Sequence, residues 1–352
     1  VAHALVQAGF HVTVVTGGST VPGFPGPGVD TIALPPLLSA SAGFSGLVDG
    51  NGETASDDYL DNRRNLLLDA FRRIGPDIVI TEAFPFGRRQ MRFELLPLLQ
   101  AIEATTPRPK VLASIRDILQ ARTKPGRDEE TVALVREHFD HVLVHGDPSF
   151  VTLPETFPLA GEISGRIVYT GLVAAPAAPP CAEVFDIVVS AGGGAVGIDL
   201  LRAAREAAAR SAFSGSWCLI TGPNLPERDF AALHADVPAN VGVFRFRKDF
   251  ASLLRNARLS ISQAGYNTVC DVLQAQCRSI LVPFTAGGET EQSVRAARLE
   301  ALGLALALPE DGIDADVLGA AVETALASPR PPAHSLDLTG ARTTARLLRQ
   351  LL

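Results

Sequence analysis

The sequence predicts an α/β protein made of two Rossmann-like domains, each built on a parallel sheet. Three observations lead there. Short continuous apolar runs alternate with amphipathic segments of helical length, the pattern of a parallel sheet covered on both faces. The stretch "AAPAAPPCAE" (174–183) interrupts the alternation with three prolines, which regular elements do not hold, and the alternation then restarts. At 352 residues the chain is also longer than one ordinary core requires.

The first half reads "HVTVVTGG" and "DTIALPPL" as strands, then a polar stretch from Ser39 to Asp58. A helix "YLDNRRNLLLDAFRRIG" leads into the strand "DIVITEAF". Next come a helix at "RQMRFELLPLLQAIEAT", the strand "KVLASIRD", a helix at "DEETVALVREHF", and the strands "HVLVHGD" and "RIVYTGLV". Beyond the prolines come "FDIVVSAGGG", a helix from about Val196 to Arg210, and "WCLITGP". "NVGVFRF", "LSISQAG" and "SILVPFT" follow as strands, each with a helix after it. The expected division is residues 1–175 as the first domain, 176–184 as linker, 185–330 as the second domain, and 331–352 as a C-terminal helix returning to the first. The chain starts in "VAHALVQAGF", a helix without a start signal and with Gly9 as its C-cap. The expectation is that a first strand and loop lie upstream of Val1.

Composition excludes several classes. Hydrophobic residues are 47% and charged residues 20%, a globular balance. The formal charge of −7 argues against a non-specific nucleic-acid binder. Four cysteines lack C-x-x-C spacing, which suits reduced thiols in a cytoplasm. No apolar run reaches the ~18 residues that span a bilayer, and no signal peptide is recognisable.

Three loops of the second domain carry the chemistry. In "ISQAGYNTVCDVL" (261–273) a strand ends at Gln263, Gly265 opens a turn, and Asn267, Thr268 and Asp271 follow at a helix start. Thr268 and Asp271 have capping-box spacing, so Asp271 either closes that box or meets a ligand at the strand edge. "VVSAGGGAVG" sets Gly192, Gly193 and Gly194 between strand and helix, where backbone amides can approach a phosphate. "VPFTAGGETEQSVRAARLEALG" repeats the layout, with Gly287 and Gly288 ahead of Glu291 and Gln292. Three such loops at strand ends in one domain favour a nucleotide cradle.

The segment 243–309 resembles the donor-binding half of GT-B glycosyltransferases of the family 28 type, and the rest of the chain resembles them loosely. The "VPF" run followed by "EQ" and "LE" carries the likeness, as does "VAHALVQAGFHVTVV" at the start. The resemblance implies a GT-B fold, two Rossmann-like domains with parallel sheets facing a cleft. It implies Asp271, where glutamate is commoner, on the ribose diol of UDP, and Gln292 at the donor sugar with Glu291 beside it. It places Gly192–Gly194 near the diphosphate, with Gly where a serine hydroxyl is expected, and backbone at Phe246 and Arg247 near the base.

Such a family member inverts its sugar and needs no metal, because helix N-termini and glycine amides stabilise the leaving diphosphate. The one D-x-D-type triplet, "DAD" at 314–316, sits at a polar helix start. No cofactor is expected beyond the UDP-sugar co-substrate. The resemblance assigns the base to a histidine of a glycine loop upstream of Val1; His3 and His11 do not replace it. Within the chain Glu82, Asp117 and His145 follow strands and are the candidate bases, with helix capping as the alternative for Asp117 and Asp147. Arg88, Arg89 and Arg116 are acceptor-side candidates, and 39–58 is long enough for an acceptor loop. The acceptor, a glycan, lipid-linked or small molecule, is not named by these residues. The expected location is cytoplasmic, with peripheral membrane association allowed. Two alternatives stay open: an epimerase or hydrolase on the same fold, and a non-catalytic nucleotide-sugar binder.

Overall fold

The computed structural model describes residues 1–19, 21, 23–39, 46–122, 124–179, 181–192, 197–211 and 213–352. The chain forms two compact units, one of residues 1–172 with 339–352 and one of residues 173–338.

The first unit opens with α1 (Ala2–Gln7), β1 (Thr13–Thr16) and β2 (Asp30–Ala33), followed by β3 (Leu38–Ser39) and β4 (Leu47–Val48). Then come α2 (Asp57–Ile74), β5 (Ile78–Glu82), α3 (Arg92–Glu103), β6 (Lys110–Arg116), α4 (Arg127–His138), β7 (His141–His145) and β8 (Ile167–Tyr169). Strands β5-β6-β7-β8 pair in parallel in that order, and β1 pairs with β2 in parallel; β1 and β5 are not hydrogen-bonded to each other. β3 and β4 form a short antiparallel pair inside the stretch expected to be an irregular loop. Helix α2 also starts within that stretch, because Ser56 caps it by accepting from the Tyr59 N–H at 3.2 Å. The middle of the proposed acceptor loop, 40–45, lies outside the described residues.

Two helical layers cover this sheet. Leu67 and Phe71 of α2 and Leu98, Leu99 and Ile102 of α3 pack on one side, with Val132 and Val135 of α4. On the other side α1 and the last helix, α11 (Gly340–Leu351), bury Leu5, Ala345 and Leu348 against Leu112 and Leu143. The chain enters α11 beside its own exit from the unit: the Gly340 N–H donates to the Leu172 carbonyl at 3.0 Å. Glycine is required there, since a Cβ would stand 2.3 Å from the Gly171 carbonyl oxygen. The buried pair Arg63–Glu94, at 2.7 Å, ties α2 to α3, and Arg63 also donates to the Gly17 carbonyl after β1 at 3.0 Å.

The second unit runs β9 (Ile187–Ser190), α5 (Ile198–Arg210), β10 (Trp217–Ile220), α6 (Glu227–His234), β11 (Val241–Phe244) and α7 (Phe250–Asn256). It continues with β12 (Leu259–Ser262), α8 (Tyr266–Ala275), β13 (Ser279–Leu281), α9 (Glu291–Ala301), β14 (Leu306–Ala307) and α10 (Ala315–Ala327). Its six strands are parallel, in the order β11-β10-β9-β12-β13-β14. β9, β10, β12 and β13 are buried along their whole length, which is why they read as unbroken apolar runs. The alanine face of α5 packs with Leu318 and Val322 of α10 on one side of the sheet, while Leu253, Leu254 and Val272 of α7 and α8 cover the other. The strand order reverses between β9 and β12. In open α/β sheets that reversal opens a crevice at the carboxyl ends of the two strands.

Candidate functional site

The two turns at this reversal are the glycine turn after β9 and the turn between β12 and α8. Gly192 adopts φ +75, and Gly197, the N-cap of α5, adopts φ +88. A Cβ on Gly197 would lie 2.8 Å from the Ala191 Cβ, so the backbone closes on itself there only with glycine. The intervening Gly193 and Gly194 lie outside the described residues. Gln263, the first residue after β12, is buried with its amide against both Gly192 and Gly197. Its Nε2 has no hydrogen-bond partner among the described residues. The Gly192 N–H donates to Ser190 Oγ at 3.3 Å.

Helix α8 corrects the capping-box expectation. Gly265 is its N-cap, in an extended conformation, and no side chain caps the helix. Thr268 therefore lies inside the first turn and Asp271 in the second, where neither can act as the cap pair. The cause is Tyr266, buried at the first helical position: its hydroxyl accepts from the Val173 N–H at 2.8 Å and draws the helix start forward. Asp271 consequently projects from the helix side into a recess. Ala175, Pro176 and Ala178 of the linker, Ala251 and Arg255 of α7, and Gln274 one helical step further along α8 line it. No hydrogen bond or ion pair to Asp271 is found among the described residues. Burial pushes its carboxyl up to about 6.

On the sugar side of the expected cradle, the turn after β13 carries Gly287 and Gly288, both at positive φ. Glu289, one residue before the N-cap Thr290 of α9, accepts from the Gln292 N–H at 3.0 Å. Gln292 Oε1 accepts from the Phe284 N–H at 3.2 Å, so its side chain is folded back over the end of β13. Glu291 forms an ion pair at 2.7 Å with Arg295, a fully buried guanidinium that also donates to the Ala264 carbonyl at 2.8 Å. Asn267 is exposed on the outer side of α8.

Phe246 is exposed at the end of the β11 loop. Arg247 beside it is held by Asp249 at 2.8 Å and Glu183 at 2.6 Å. The Arg247 hydrogen bonds hold Asp249 well below the usual carboxylate range, and Cys181 Sγ donates to the same carboxylate at 3.1 Å. This network fastens the linker to the β11–α7 loop. The cysteines are free thiols; Cys218 and Cys277 are buried, and burial pushes both up to about 12.

The first-unit candidates fare differently. His145 is buried, with Nδ1 2.8 Å from Thr170 Oγ1 and Nε2 2.8 Å from Ser114 Oγ. Burial lowers it to about 4, so it is a neutral, enclosed imidazole and not an exposed base. Asp117 is also buried; its Oδ1 accepts from the Ile118 N–H and it packs against Gly146, which excludes the capping role as well. Asp147 bonds Ser149 through both the N–H and Oγ, forming a local turn instead of capping a helix. Glu82 is exposed and lies 3.6 Å from Arg88. Arg89 pairs with Glu130, which also holds Arg92. Arg116 is exposed at the end of β6. The triplet at 314–316 is a helix cap: Asp314 accepts from the Asp316 and Val317 N–H groups. Among the described residues no cluster of His, Cys, Asp and Glu could hold a metal.

Sequence reasoning missed Arg295, Arg255 and Gln274. Gln274 was reachable, since it lies three residues beyond Asp271 on the same helix face. Arg295 carried no sequence signal, because an arginine four residues after an acid usually marks a solvated helix face, and no neighbouring residue sets Arg255 apart.

The fold is that of GT-B glycosyltransferases. The calicheamicin glycosyltransferase CalG4 superposes with a TM-score of 0.64 at 18% identity, covering 99% of this chain and 92% of that one. MurG of Acinetobacter baumannii gives 0.60 at 18% identity, covering 99% and 95%. Within that fold, residues 188–342 match the glycosyltransferase family 28 C-terminal domain, and nearly all of that match falls in the second unit. A curated relative is the UDP-N-acetylglucosamine–N-acetylmuramyl-(pentapeptide) pyrophosphoryl-undecaprenol N-acetylglucosamine transferase of Gloeobacter violaceus. It is 34% identical over 115 residues, which are 31% of this chain and 32% of the relative. The enzyme of the same name from Caulobacter vibrioides is 32% identical over 101 residues, 29% and 27% of the two chains. The matched stretch thus spans about a third of these relatives' length.

Proposed function

We propose that this protein is an inverting, metal-independent glycosyltransferase that moves a sugar, N-acetylglucosamine in the first instance, from a UDP-linked donor to a hydroxyl acceptor. The observation that carries the reading is Asp271. It is a half-buried carboxylate without a cation partner among the described residues, facing a recess beside the sheet's switch point. Leaving a carboxylate there costs stability, and two ribose hydroxyls are the donors that would satisfy it. The glycine turn after β9 and the N-terminus of α5 supply amides and partial positive charge for the diphosphate. The turn of Gln292 then takes the sugar. The relatives' names support a UDP-sugar donor and a lipid-linked acceptor. The undecaprenol in those names fits action at a membrane surface, which we place on the cytoplasmic side; no helix among the described residues is long and apolar enough to cross a membrane.

A second reading, a nucleotide-sugar binder, is favoured by one fact: His145 and Asp117 are enclosed and Glu82 lies beside Arg88. Incubation with UDP-N-acetylglucosamine, with and without bacterial lipid extract, separates the readings. UDP released only with lipid supports transfer; free or isomerised sugar points to hydrolysis or epimerisation, and no turnover to binding alone. For the donor site itself, Asp271→Ala is expected to weaken UDP binding by about 10- to 100-fold, the range of a hydrogen bond to a charged group. Calorimetric affinity unchanged in a folded variant would remove Asp271 from the site.

A further inference from the structure

Arg295 is a large, fully buried cation that no part of the donor-site reading uses. Its Nη1 donates to the Ala264 carbonyl at 2.8 Å, in the turn that leads to Asp271. Its Nη2 donates to Glu291 Oε1 at 2.7 Å, one residue before Gln292. The guanidinium carbon stands 5.7 Å from the centre of the Tyr266 ring, and Tyr266 is itself tied to the Val173 N–H. One planar fork therefore bridges the turn that opens α8 and the first turn of α9. The first of these turns leads into α8, whose second helical turn carries Asp271, and the other carries Gln292.

We propose that Arg295 is a positioning residue of the donor site, which fixes the sugar-side turn of α9 at a set place relative to the nucleoside-side turn of α8. The proposal rests on the donor-site reading above. The two ends of the bridge are not equally stiff. Ala264 is buried at the end of a central strand, whereas Glu291 is partly exposed at a helix start that follows the Gly287–Gly288 turn. Loss of the bridge should release the Gln292 turn and leave the Asp271 turn in place. Only an arginine does this work well. Its donors diverge in one plane, while a lysine ammonium is a single point that meets one acceptor at a time.

The test is the ratio of UDP-N-acetylglucosamine affinity to UMP affinity, by calorimetry, in the wild type, Arg295→Met and Arg295→Lys, with thermal unfolding followed in parallel. Misplacing a reacting group by about 1 Å is worth up to ~100-fold. The expected result for Arg295→Met is a ratio lower by about tenfold or more, with UMP affinity within about twofold. Arg295→Lys should show a smaller drop, of about threefold, because it keeps one of the two contacts. An unchanged ratio in Arg295→Met, or in Arg295→Lys if the Met variant does not fold, overturns the proposal and leaves the donor site standing. Equal losses for both ligands alongside a lowered melting temperature also overturn it, since they describe a purely structural residue. A wild type that binds neither UMP nor the UDP-sugar ends the donor-site reading, and this proposal with it.

Discussion

Asp271 shows what a half-buried carboxylate costs its own fold. Its carboxyl ordinarily titrates at 3.8 and is pushed up to about 6 by burial. The native state therefore holds the proton more tightly than the unfolded chain does. The group favours folding below about pH 4, and that contribution is lost as the pH rises through about 6. At pH 7 the half-buried carboxylate is ionised and destabilising. Asp271→Asn is expected to raise stability at pH 7 by roughly 1 kcal/mol, after allowance for its partial exposure, and by nothing at pH 4. Urea denaturation of both proteins at the two pH values checks this; equal gains at both would mean that the carboxyl is not desolvated. The sequence made this residue visible because a strand, a glycine and an acid recur there in order. Of the two readings left open for it, the structure removes only the capping box, since that spacing says nothing of a tyrosine that prefers burial to solvent. His145 and Asp117 misled for the opposite reason. A polar residue after a strand looks the same in sequence whether it faces a cleft or, as here, closes a buried hydrogen-bond set.

Among the elements, the strands of the second unit were the most legible, because full burial turns each into an uninterrupted apolar run. β14 escaped notice: two residues at a sheet edge, paired only with β13, leave too short a pattern. β3 and β4 escaped for the same reason inside a polar stretch. The C-terminal helix was legible as a helix, from its amphipathic spacing. Its place depends on a feature that spacing cannot convey, the contact of Gly340 with the Gly171 and Leu172 carbonyls. Gly340→Ala is expected to destabilise the first unit by about 1–3 kcal/mol, the usual range for overpacking, because the obstructing atoms are backbone and cannot rotate away. Chemical denaturation followed by a probe in the first unit measures it; a loss below about 0.5 kcal/mol would show that the helix start can shift to make room.

For the whole molecule, the two-domain plan was readable from the proline-rich stretch, yet the division by contacts falls at Leu172–Val173, ahead of those prolines. The prolines travel with the second unit because Ala175, Pro176 and Ala178 line the Asp271 recess and Arg247 holds Glu183. A fragment of residues 173–338 is accordingly expected to fold cooperatively. UDP at a hundredfold excess over its dissociation constant should stabilise that fragment by about 2.7 kcal/mol. If UDP stabilised the full chain but not the fragment, an essential part of the nucleotide site would lie outside these residues. The first unit has no such independence. Its last layer, residues 339–352, is separated from the rest by the entire second unit, and Leu5, Leu112 and Leu143 remain uncovered until that layer arrives. On a ribosome the later-made body can therefore reach its native state while the earlier-made one still waits, apolar side open, for the final helix to emerge. During that interval its exposed apolar side is open to aggregation.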